Sequence, residues 1–306
     1  MTQAIPFGPR STADQVLAGV DLSRKRVLVT ACSSLTGLET MKALEANGAV
    51  VIGVARTLDD AEAACRAVNG STPLALDPTR PESLDAAEAS LRVLSSPLDA
   101  VIINASHVRC FADHIARFVL VNRLVEFVRP GTGRIAIARH EPTTQDLPEP
   151  GLLFDDLTDD RIYDPGALHG ETALAAAVFA EELSRRVDAR GISVNEFDSG
   201  TATRNPRSRP LKPPRMIRAL LNLWSRSPGQ WAATPALLAA SPLVAGITGK
   251  YWLDCQISRR NPEFKDGSLA SRLWDLSVKT SAMMFGRVNS SRTDGLASHM
   301  ATGSGA

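Results

Sequence analysis

The stretch "RVLVTACSSLTGLETMKALEANGAVVIGVAR", residues 26–56, decides the fold of this 306-residue chain. It begins with a β-branched run typical of a buried strand and continues through a turn-like segment of small residues. The spacing then becomes helical and stops at Gly48, and a second buried strand, "AVVIGVAR", follows. A strand, a helix and a strand within roughly 30 residues predict a βαβ unit, which joins two parallel strands.

The same alternation continues along the chain to about residue 198. Strands are predicted at "TPLALD", "LDAVIINAS", "GRIAIARH" and "GISVNEFD". Helices are predicted at "TLDDAEAACRAVN", "PESLDAAEASLRVL", "HIARFVLVNRLVEFV" and "ALHGETALAAAVFAEELSRRV". This alternation predicts a doubly wound α/β fold, a parallel sheet with helices on both faces. Such folds bind ligands beyond the carboxyl ends of their strands, so the residues that follow each strand are the candidate site.

We expect a single Rossmann-like domain over residues 1–280, with a C-terminal flap and a tail. The segment "RNPRSRPLKPPRMIRALLNLW" is rich in proline and arginine before it becomes amphipathic, which predicts a substrate flap over residues 204–235. From residue 281 the chain is small and polar without periodicity, which predicts a disordered tail over residues 281–306.

The overall composition excludes several classes of function. A formal net charge of +1 gives no general attraction to nucleic acid or to membranes, and the basic flap lacks the interleaved aromatic residues of a nucleic-acid site. No run approaches the ~20 apolar residues of a membrane helix, and the N-terminus lacks the apolar core of a signal peptide. The 4 cysteines are scattered without a CxxC pair, which predicts reduced thiols, no metal site and a cytoplasmic protein.

Several segments resemble the short-chain dehydrogenase/reductase superfamily, and in particular its retinol-dehydrogenase-like branch. The resemblance runs from about Phe7 to Leu276 and includes "FGPRSTADQVLAGVDLSRKRVLVT", "GLLFDDLTDDRIYDP" and "GKYWLDCQ…LASRLWDLS". It implies the Rossmann-like fold, a nicotinamide cofactor and a medium-sized apolar substrate. Because family members often pair through the two helices that flank the site, it also implies a homodimer.

The cofactor loop departs from the pattern of that family. The family reads TGxxxGxG, whereas residues 30–37 read "TACSSLTG", so only the last glycine remains. Leu35 replaces the middle glycine and adds a branched side chain where the phosphate or the nicotinamide ribose would lie. Arg56 is where an arginine would pair with the 2′-phosphate of NADP. The cofactor positions that the resemblance carries over are Thr30, Ser34, Gly37, Arg56, Asp77, Asn104 and Ala105. Two alternatives stay open: NADP binding is weak or lost, or NADP still binds usefully.

The catalytic tyrosine and lysine of the family are absent. The family places the lysine four residues after the tyrosine, on the same face of one helix. Here His169 and Ala173 stand at those two positions. Neither tyrosine of the chain, Tyr163 or Tyr251, is followed by a lysine four residues later. The sequence therefore predicts that hydride transfer by the usual family route is lost.

Two further catalytic positions are also replaced. The serine that ends the fifth strand corresponds to His140, or to Arg139 if the register shifts by one, and the helical asparagine corresponds to Asp113. Histidine titrates near neutrality, so His140 and His169 can act as acid and base. Asp113 and Glu171 are close enough in sequence to orient them, and Arg139 or Arg117 could bind an anion. The candidate catalytic residues are His140, His169, Asp113 and Arg139, whereas His114 is expected on a helix surface.

Three functions remain open at this point. The first is a non-redox acid/base enzyme, a dehydratase, isomerase or cyclase that acts on a medium-sized apolar carbonyl compound. The second is a pseudoenzyme with a binding or regulatory role, with or without NADP. The third is an atypical NADP-dependent oxidoreductase in which His169 is the proton donor. The paired histidines favour the first.

Overall fold

The computed structural model describes residues 4–104, 111–139, 165–198, 226–258 and 267–285. Within these ranges the strands form one 8-stranded sheet. The strands are β1 (Arg26–Thr30), β2 (Val50–Ala55), β3 (Thr72–Ala75), β4 (Ala100–Ile103), β5 (Arg134–Arg139), β6 (Ser193–Asp198), β7 (Tyr251–Leu253) and β8 (Gln256–Ser258). Their order is β3-β2-β1-β4-β5-β6-β7-β8. Neighbouring strands are parallel except for β7 and β8, so the predicted doubly wound parallel sheet is confirmed.

Helices cover both faces of this sheet. They are α1 (Ala13–Leu17), α2 (Leu35–Ala46), α3 (Leu58–Cys65), α4 (Pro81–Val93), α5 (Phe111–Val125), α6 (Pro165–Arg186), α7 (Pro228–Trp231), α8 (Ala233–Ala240) and α9 (Gly267–Phe285). One apolar core joins the sheet to α4, α5, α6 and α9. A second core joins the opposite face to α1, α2, α3 and α8. Alternate residues of the central strands supply the two cores, as a sheet buried on both faces requires.

Local sequence signals explain where the first helices begin. The side chains of Ser34 and Thr57 accept hydrogen bonds from backbone N–H groups in the first turns of α2 and α3. Pro81 is the first residue of α4, where its missing N–H costs nothing. These caps fix the helix starts directly after β1 and β2, and so they shape the carboxyl edge of the sheet.

The C-terminal third differs from the sequence prediction in detail. The end of the predicted flap, from residue 226, folds onto the body, and Ala232 and Ala233 are buried in the second core. The helix α9 continues through the buried Ser281 to Phe285, past the predicted start of the tail. Residues 199–225 and 286–306, which hold the rest of the predicted flap and tail, lie outside the described residues.

Candidate functional site

The candidate site lies at the carboxyl edge of the sheet, where the strand order reverses between β1 and β4. The two strand ends are joined by Asn104, the residue after β4. Its backbone N–H donates to Thr30 Oγ1 at 3.0 Å, and its side-chain Nδ2 donates to the Thr30 carbonyl at 2.8 Å. Both residues are buried, so these bonds hold the carboxyl ends of β1 and β4 together.

The loop between β1 and α2 forms a tight turn. Ala31 has φ of 49°, a left-handed conformation that glycine adopts without strain and alanine does not. The N–H of Ser34 donates to the Ala31 carbonyl at 3.0 Å, and the Ser34 hydroxyl accepts from the N–H of Gly37 at 3.0 Å. The turn is therefore closed by these two hydrogen bonds, with an alanine in the left-handed position.

Gly37 is retained for a packing reason. A Cβ atom built on Gly37 would lie 2.3 Å from the carbonyl oxygen of Ala31, a distance that real Cβ atoms essentially never show. Only glycine lets α2 approach the preceding loop this closely. Its presence is therefore explained without a bound nucleotide.

Leu35 stands at the end of α2 that a phosphate would approach. The N-terminus of a helix attracts anions through its free N–H groups and its dipole. Leu35 is the first residue of α2, and 56% of its surface is exposed. A large apolar side chain therefore projects into solvent from the end of the helix where the family keeps glycine.

The predicted adenosine-binding positions lie along the same edge. Arg56 directly follows β2 and is exposed. The Asp77 carboxylate follows β3 and accepts hydrogen bonds from the Thr79 N–H at 3.0 Å and the Thr79 hydroxyl at 2.7 Å. With Thr30, Ser34, Gly37 and Asn104, these residues lie along the edge where the resemblance places the cofactor, and their role in binding it stays a prediction. Ala105 lies outside the described residues.

The candidate catalytic residues are described only in part. Asp113 lies in the first turn of α5, and Arg139 is the last residue of β5. His169 lies on α6, near its N-terminus, but its side chain is not among those described, and His140 lies outside the described residues. The shared pocket for the two imidazoles therefore stays a prediction.

Arg139 lies inside the fold, next to a carboxylate. Its side chain and that of Glu196 both have 0% exposure, and Arg139 Nε is 3.5 Å from Glu196 Oε1. The Arg139 guanidinium also lies 4.0 Å from the ring centroid of Tyr251, which is buried in β7. These contacts favour a structural role for Arg139. A role in binding an anionic substrate is untested.

A second buried arginine approaches the same carboxylate. Arg117 of α5 donates to the Ala138 carbonyl at 3.4 Å. Burial lowers its pKa to about 10, although the negative charges of Asp113 and Glu196 act in the opposite direction. We call Asp113, Arg117, Arg139 and Glu196 the buried charge cluster. The sequence analysis missed Glu196, for which the available signal was an acidic residue within the apolar strand "SVNEF".

The predicted surface position of His114 is wrong. This side chain is buried between α5, α6 and α9, with Nε2 3.0 Å from Ser277 Oγ and its ring edge-on to Phe179 at 5.9 Å. Burial, with a contribution from Arg117, lowers the pKa of His114 to about 3. The ring is therefore neutral in the folded protein. The reason for the error is that α9, which covers this face of α5, was not recognised as a helix.

The described residues also bear on the predictions about cysteines, metal binding and membrane helices. Cys32, Cys65 and Cys255 are buried free thiols, and burial raises the pKa of Cys32 to about 12 and that of Cys255 to about 11. The described histidine, cysteine and carboxylate side chains form no group that could hold a metal ion. None of the described helices combines the length and apolar character needed to cross a membrane.

The known proteins that the sequence resembles include dehydrogenases and oxidoreductases. Over 89% of its length the chain is 29% identical to the short-chain dehydrogenase TIC 32 B, chloroplastic, of Brassica napus, and it covers 93% of that protein. Over 84% of its length it is 30% identical to a probable oxidoreductase of Streptomyces antibioticus, covering 94% of it. Human retinol dehydrogenase 14 is 31% identical over 54% of this chain and 49% of its own length. No family model matches the chain.

Solved structures agree with this fold. An uncharacterised protein from Mycobacterium paratuberculosis superposes with a TM-score of 0.64 at 21% identity, covering 89% of this chain and 97% of its own. The L-sorbose reductase of Gluconobacter frateurii, solved with NADPH and L-sorbose, superposes with a TM-score of 0.55 at 18% identity, covering 76% and 96%. At these identities the likeness establishes the architecture alone.

Proposed function

Because the chain belongs to the short-chain dehydrogenase/reductase superfamily, with retinol dehydrogenases among its relatives, we propose that it uses the family's cleft for acid/base chemistry without hydride transfer. The substrate is a medium-sized apolar carbonyl compound, and the reaction is a dehydration, an isomerisation or a cyclisation. We further propose that the protein works in the cytoplasm on a free small molecule.

One observation carries this proposal: no tyrosine in the chain is followed by a lysine four residues later. The helix that should hold that pair is nevertheless complete. In α6 the side chains of Leu174, Val178 and Leu183 are buried in the first core. The packing role of the helix has therefore been kept while its two reactive side chains have been exchanged.

The exchanged residues supply a coherent alternative chemistry. His140 comes directly after the last residue of β5 in the sequence, and His169 lies near the start of α6, so we expect both at the carboxyl edge. In the proposed step a neutral imidazole removes a proton from the carbon next to the substrate carbonyl. The second imidazole, in its protonated form, donates a proton to the carbonyl oxygen, so proton number and charge balance. Arg139 is not needed, since Glu196 already lies beside its charge.

A second candidate is an NADP-binding pseudoenzyme, which the preserved carboxyl edge favours. The tight turn at Ser34, the bonds between Thr30 and Asn104, and the exposed Arg56 would hold the adenosine end of the cofactor. When bound, NADP supplies hydride chemistry in this superfamily. A third candidate, an oxidoreductase with His169 as proton donor, uses the same cofactor positions.

Deuterium exchange without added cofactor tests the proposal. A compound that copurifies with the protein, identified by mass spectrometry, or otherwise a panel of apolar ketones, is incubated in heavy water. We expect the wild-type chain to catalyse exchange at the carbon next to the carbonyl. His169→Ala and His140→Ala should each slow exchange by roughly 100-fold or more, as removal of a general acid or base does. His299→Ala is the matched control and should leave exchange unchanged.

Two outcomes would contradict the acid/base proposal. Full exchange activity in both single variants would remove the histidines from the chemistry. Consumption of NADPH with a ketone at an ordinary enzymatic rate would favour the oxidoreductase. A strong rise in melting temperature with NADPH, combined with no exchange and no turnover, would favour the pseudoenzyme.

A further inference from the structure

The chain contains two Asn-Gly pairs, Asn47–Gly48 and Asn69–Gly70, and each stands in a turn between a helix and a strand. Asparagine is a thermally labile residue, and a following glycine leaves the next backbone nitrogen without the steric cover of a Cβ atom. This nitrogen must still reach the side-chain carbonyl carbon, so hydrogen bonds that hold either group prevent the reaction until the turn opens. The surroundings of the two pairs therefore decide which of them reacts.

The turn at Asn47–Gly48 holds both reacting groups in place. The Asn47 side-chain Nδ2 donates to the Ala43 carbonyl at 2.8 Å, and the Gly48 N–H donates to the Glu45 carbonyl at 2.7 Å. The Asn47 carbonyl also accepts from the Leu22 N–H at 2.9 Å, which ties this turn to the segment before β1. The amide and the backbone nitrogen can therefore meet only after these bonds have broken.

The turn at Asn69–Gly70 is open. Both residues are exposed. Neither the Asn69 side-chain amide nor the Gly70 N–H forms a hydrogen bond with any residue that the structure describes. Gly70 has φ of 68°, and a Cβ atom built on it would meet no described atom within 4 Å. The two reacting groups therefore face solvent and are free to approach each other.

Neighbouring residues fix this turn without the help of Asn69 or Gly70. The Ser71 hydroxyl donates to the Val68 carbonyl at 2.7 Å and lies 3.2 Å from the Cys65 carbonyl. The Val68 N–H donates to the Cys65 carbonyl at 3.0 Å, and the Val68 side chain is buried in the second core. The end of α3 and the start of β3 should therefore stay in place when the exposed pair changes.

We propose that Asn69 is a site of spontaneous deamidation in the folded protein and that the fold protects Asn47. The Gly70 nitrogen attacks Cγ of Asn69, so an N–Cγ bond forms and the Cγ–Nδ2 bond breaks. The side-chain nitrogen leaves as ammonia and takes the proton of the Gly70 nitrogen with it. Water then opens the cyclic imide at either carbonyl carbon and gives aspartate or isoaspartate, with no change in oxidation state.

The modification adds a negative charge to the turn that precedes β3. This turn lies at the edge of the sheet opposite the candidate site, because β3 runs parallel to β2 and its carboxyl end is the one that leads to Asp77. The inference therefore concerns a separate part of the molecule and does not depend on the proposed acid/base activity.

Peptide mapping of the intact protein tests this inference. Trypsin cleaves after lysine and arginine except before proline, so Asn69 is the sole asparagine of the peptide 67–92 and Asn47 that of the peptide 43–56. The native chain is incubated at mildly alkaline pH, and mass spectrometry follows the acid form of each peptide, with a digest of fresh protein as the baseline. We expect the Asn69 peptide to convert at least about ten times faster than the Asn47 peptide, because only Asn47 requires local opening. In urea the two rates should agree within about threefold, because neither turn is then formed.

Matched variants separate the chemistry from the fold. Asn69→Gln should abolish conversion of its peptide, because the longer side chain would have to close a less favourable six-membered ring. Asn69→Asp, which carries one of the products, should keep the melting temperature of the wild type. Asn47→Asp should lower it, because the bond to the Ala43 carbonyl is lost.

Three results would overturn the inference. The first is equal conversion of the two peptides in the native chain, and the second is an Asn69 peptide that converts only after unfolding. The third is a clear fall in the melting temperature of Asn69→Asp, since it would mean that the fold engages this amide.

Discussion

At the residue scale, the feature least expected from the sequence is the buried charge cluster. An ion pair with 0% exposure, such as Arg139–Glu196, loses hydration on both partners and adds little net stability. Removing one partner is a different matter, because the remaining charge stays buried and loses this contact. Glu196 forms an ion pair with Arg139, whereas Arg117 is affected more by Asp113 than by Glu196, so the test centres on the Arg139–Glu196 pair.

Glu196→Leu should therefore lower the free energy of unfolding by about 3–5 kcal/mol, while Arg139→Leu/Glu196→Leu should regain most of that loss. Urea unfolding of the single and double variants measures the coupling between the two side chains. The exposed pair Glu39–Lys42, converted to leucine in the same way, is the control and should change stability by less than about 1 kcal/mol. A loss in the double variant equal to the sum of the losses in Glu196→Leu and Arg139→Leu would show that the pair is not coupled.

The left-handed Ala31 gives a second prediction at this scale. Ala31→Gly should raise the free energy of unfolding by about 0.5–1 kcal/mol, because release of the Cβ strain exceeds the added flexibility of glycine in the unfolded chain. Ala89→Gly, on the exposed side of α4, should instead cost about 1 kcal/mol. Thermal unfolding of the two variants and the wild type measures these changes in stability. If Ala31→Gly is less stable than the wild type, the turn carries no strain at this position.

At the scale of elements, the sequence predicted all strands from β1 to β6 and all helices from α2 to α6. Their apolar patterns are long, and clear turn residues separate them. The strands β7 and β8 escaped because three residues carry no periodicity. The helix α9 escaped because its sequence "GSLASRLWDLSVKTSAMMF" alternates short apolar groups with small polar residues. Since Ser277 and Ser281 become buried only against partner helices, the sequence alone could not assign them to a core.

The docking of α9 should depend on pH through His114. Its pKa is about 3 in the fold and 6.5 in the unfolded chain, so the unfolded state takes up a proton first as pH falls. This contribution to stability is complete above pH 6.5 and is lost between pH 6.5 and about 3. At one pKa unit per about 1.4 kcal/mol, the loss amounts to several kcal/mol. The charged groups near His114 are Arg117, which already disfavours the imidazolium, and Asp113, the preceding residue.

Urea unfolding between about pH 7.5 and about pH 4.5 measures this dependence in the wild type and in His114→Gln. The glutamine amide can donate to Ser277 but does not titrate, so the variant should lose most of the slope in this window. Asp99 is a useful internal reference. Burial raises its pKa, but the hydrogen bonds from Arg129, the Arg26 N–H and Lys25 outweigh this effect, and the pKa lies below 3.8. Its contribution is lost only at lower pH in both proteins. An unchanged slope in His114→Gln would show that another group controls the transition.

At the scale of the whole molecule, the sequence predicted which edge of the sheet holds the candidate site. It did not predict which side chains pack against one another there. Thr30, Ser34, Arg56, Asp77 and Asn104 could be placed because each lies at the end of a strand with a clear pattern or within a few residues after it. The neighbours of Arg139 could not be inferred, since they depend on the register between β5, β6 and β7. A buried carboxylate beside an arginine becomes visible only when distant strands have been paired.

Function at this scale depends on several positions acting together, and restoring the family pair should not restore reduction. In His169→Tyr/Ala173→Lys, Leu35 still projects from the N-terminus of α2. We therefore expect no NADPH-dependent ketone reduction above the wild-type level, measured by loss of NADPH absorbance. Adding Leu35→Gly and Ala31→Gly should restore cofactor binding. NADPH at 100 times its dissociation constant would then stabilise the fold by about 2.7 kcal/mol in a thermal shift assay. Reduction by the first double variant alone would show that Leu35 is no obstacle and that the exchange of tyrosine and lysine was the only barrier to hydride transfer.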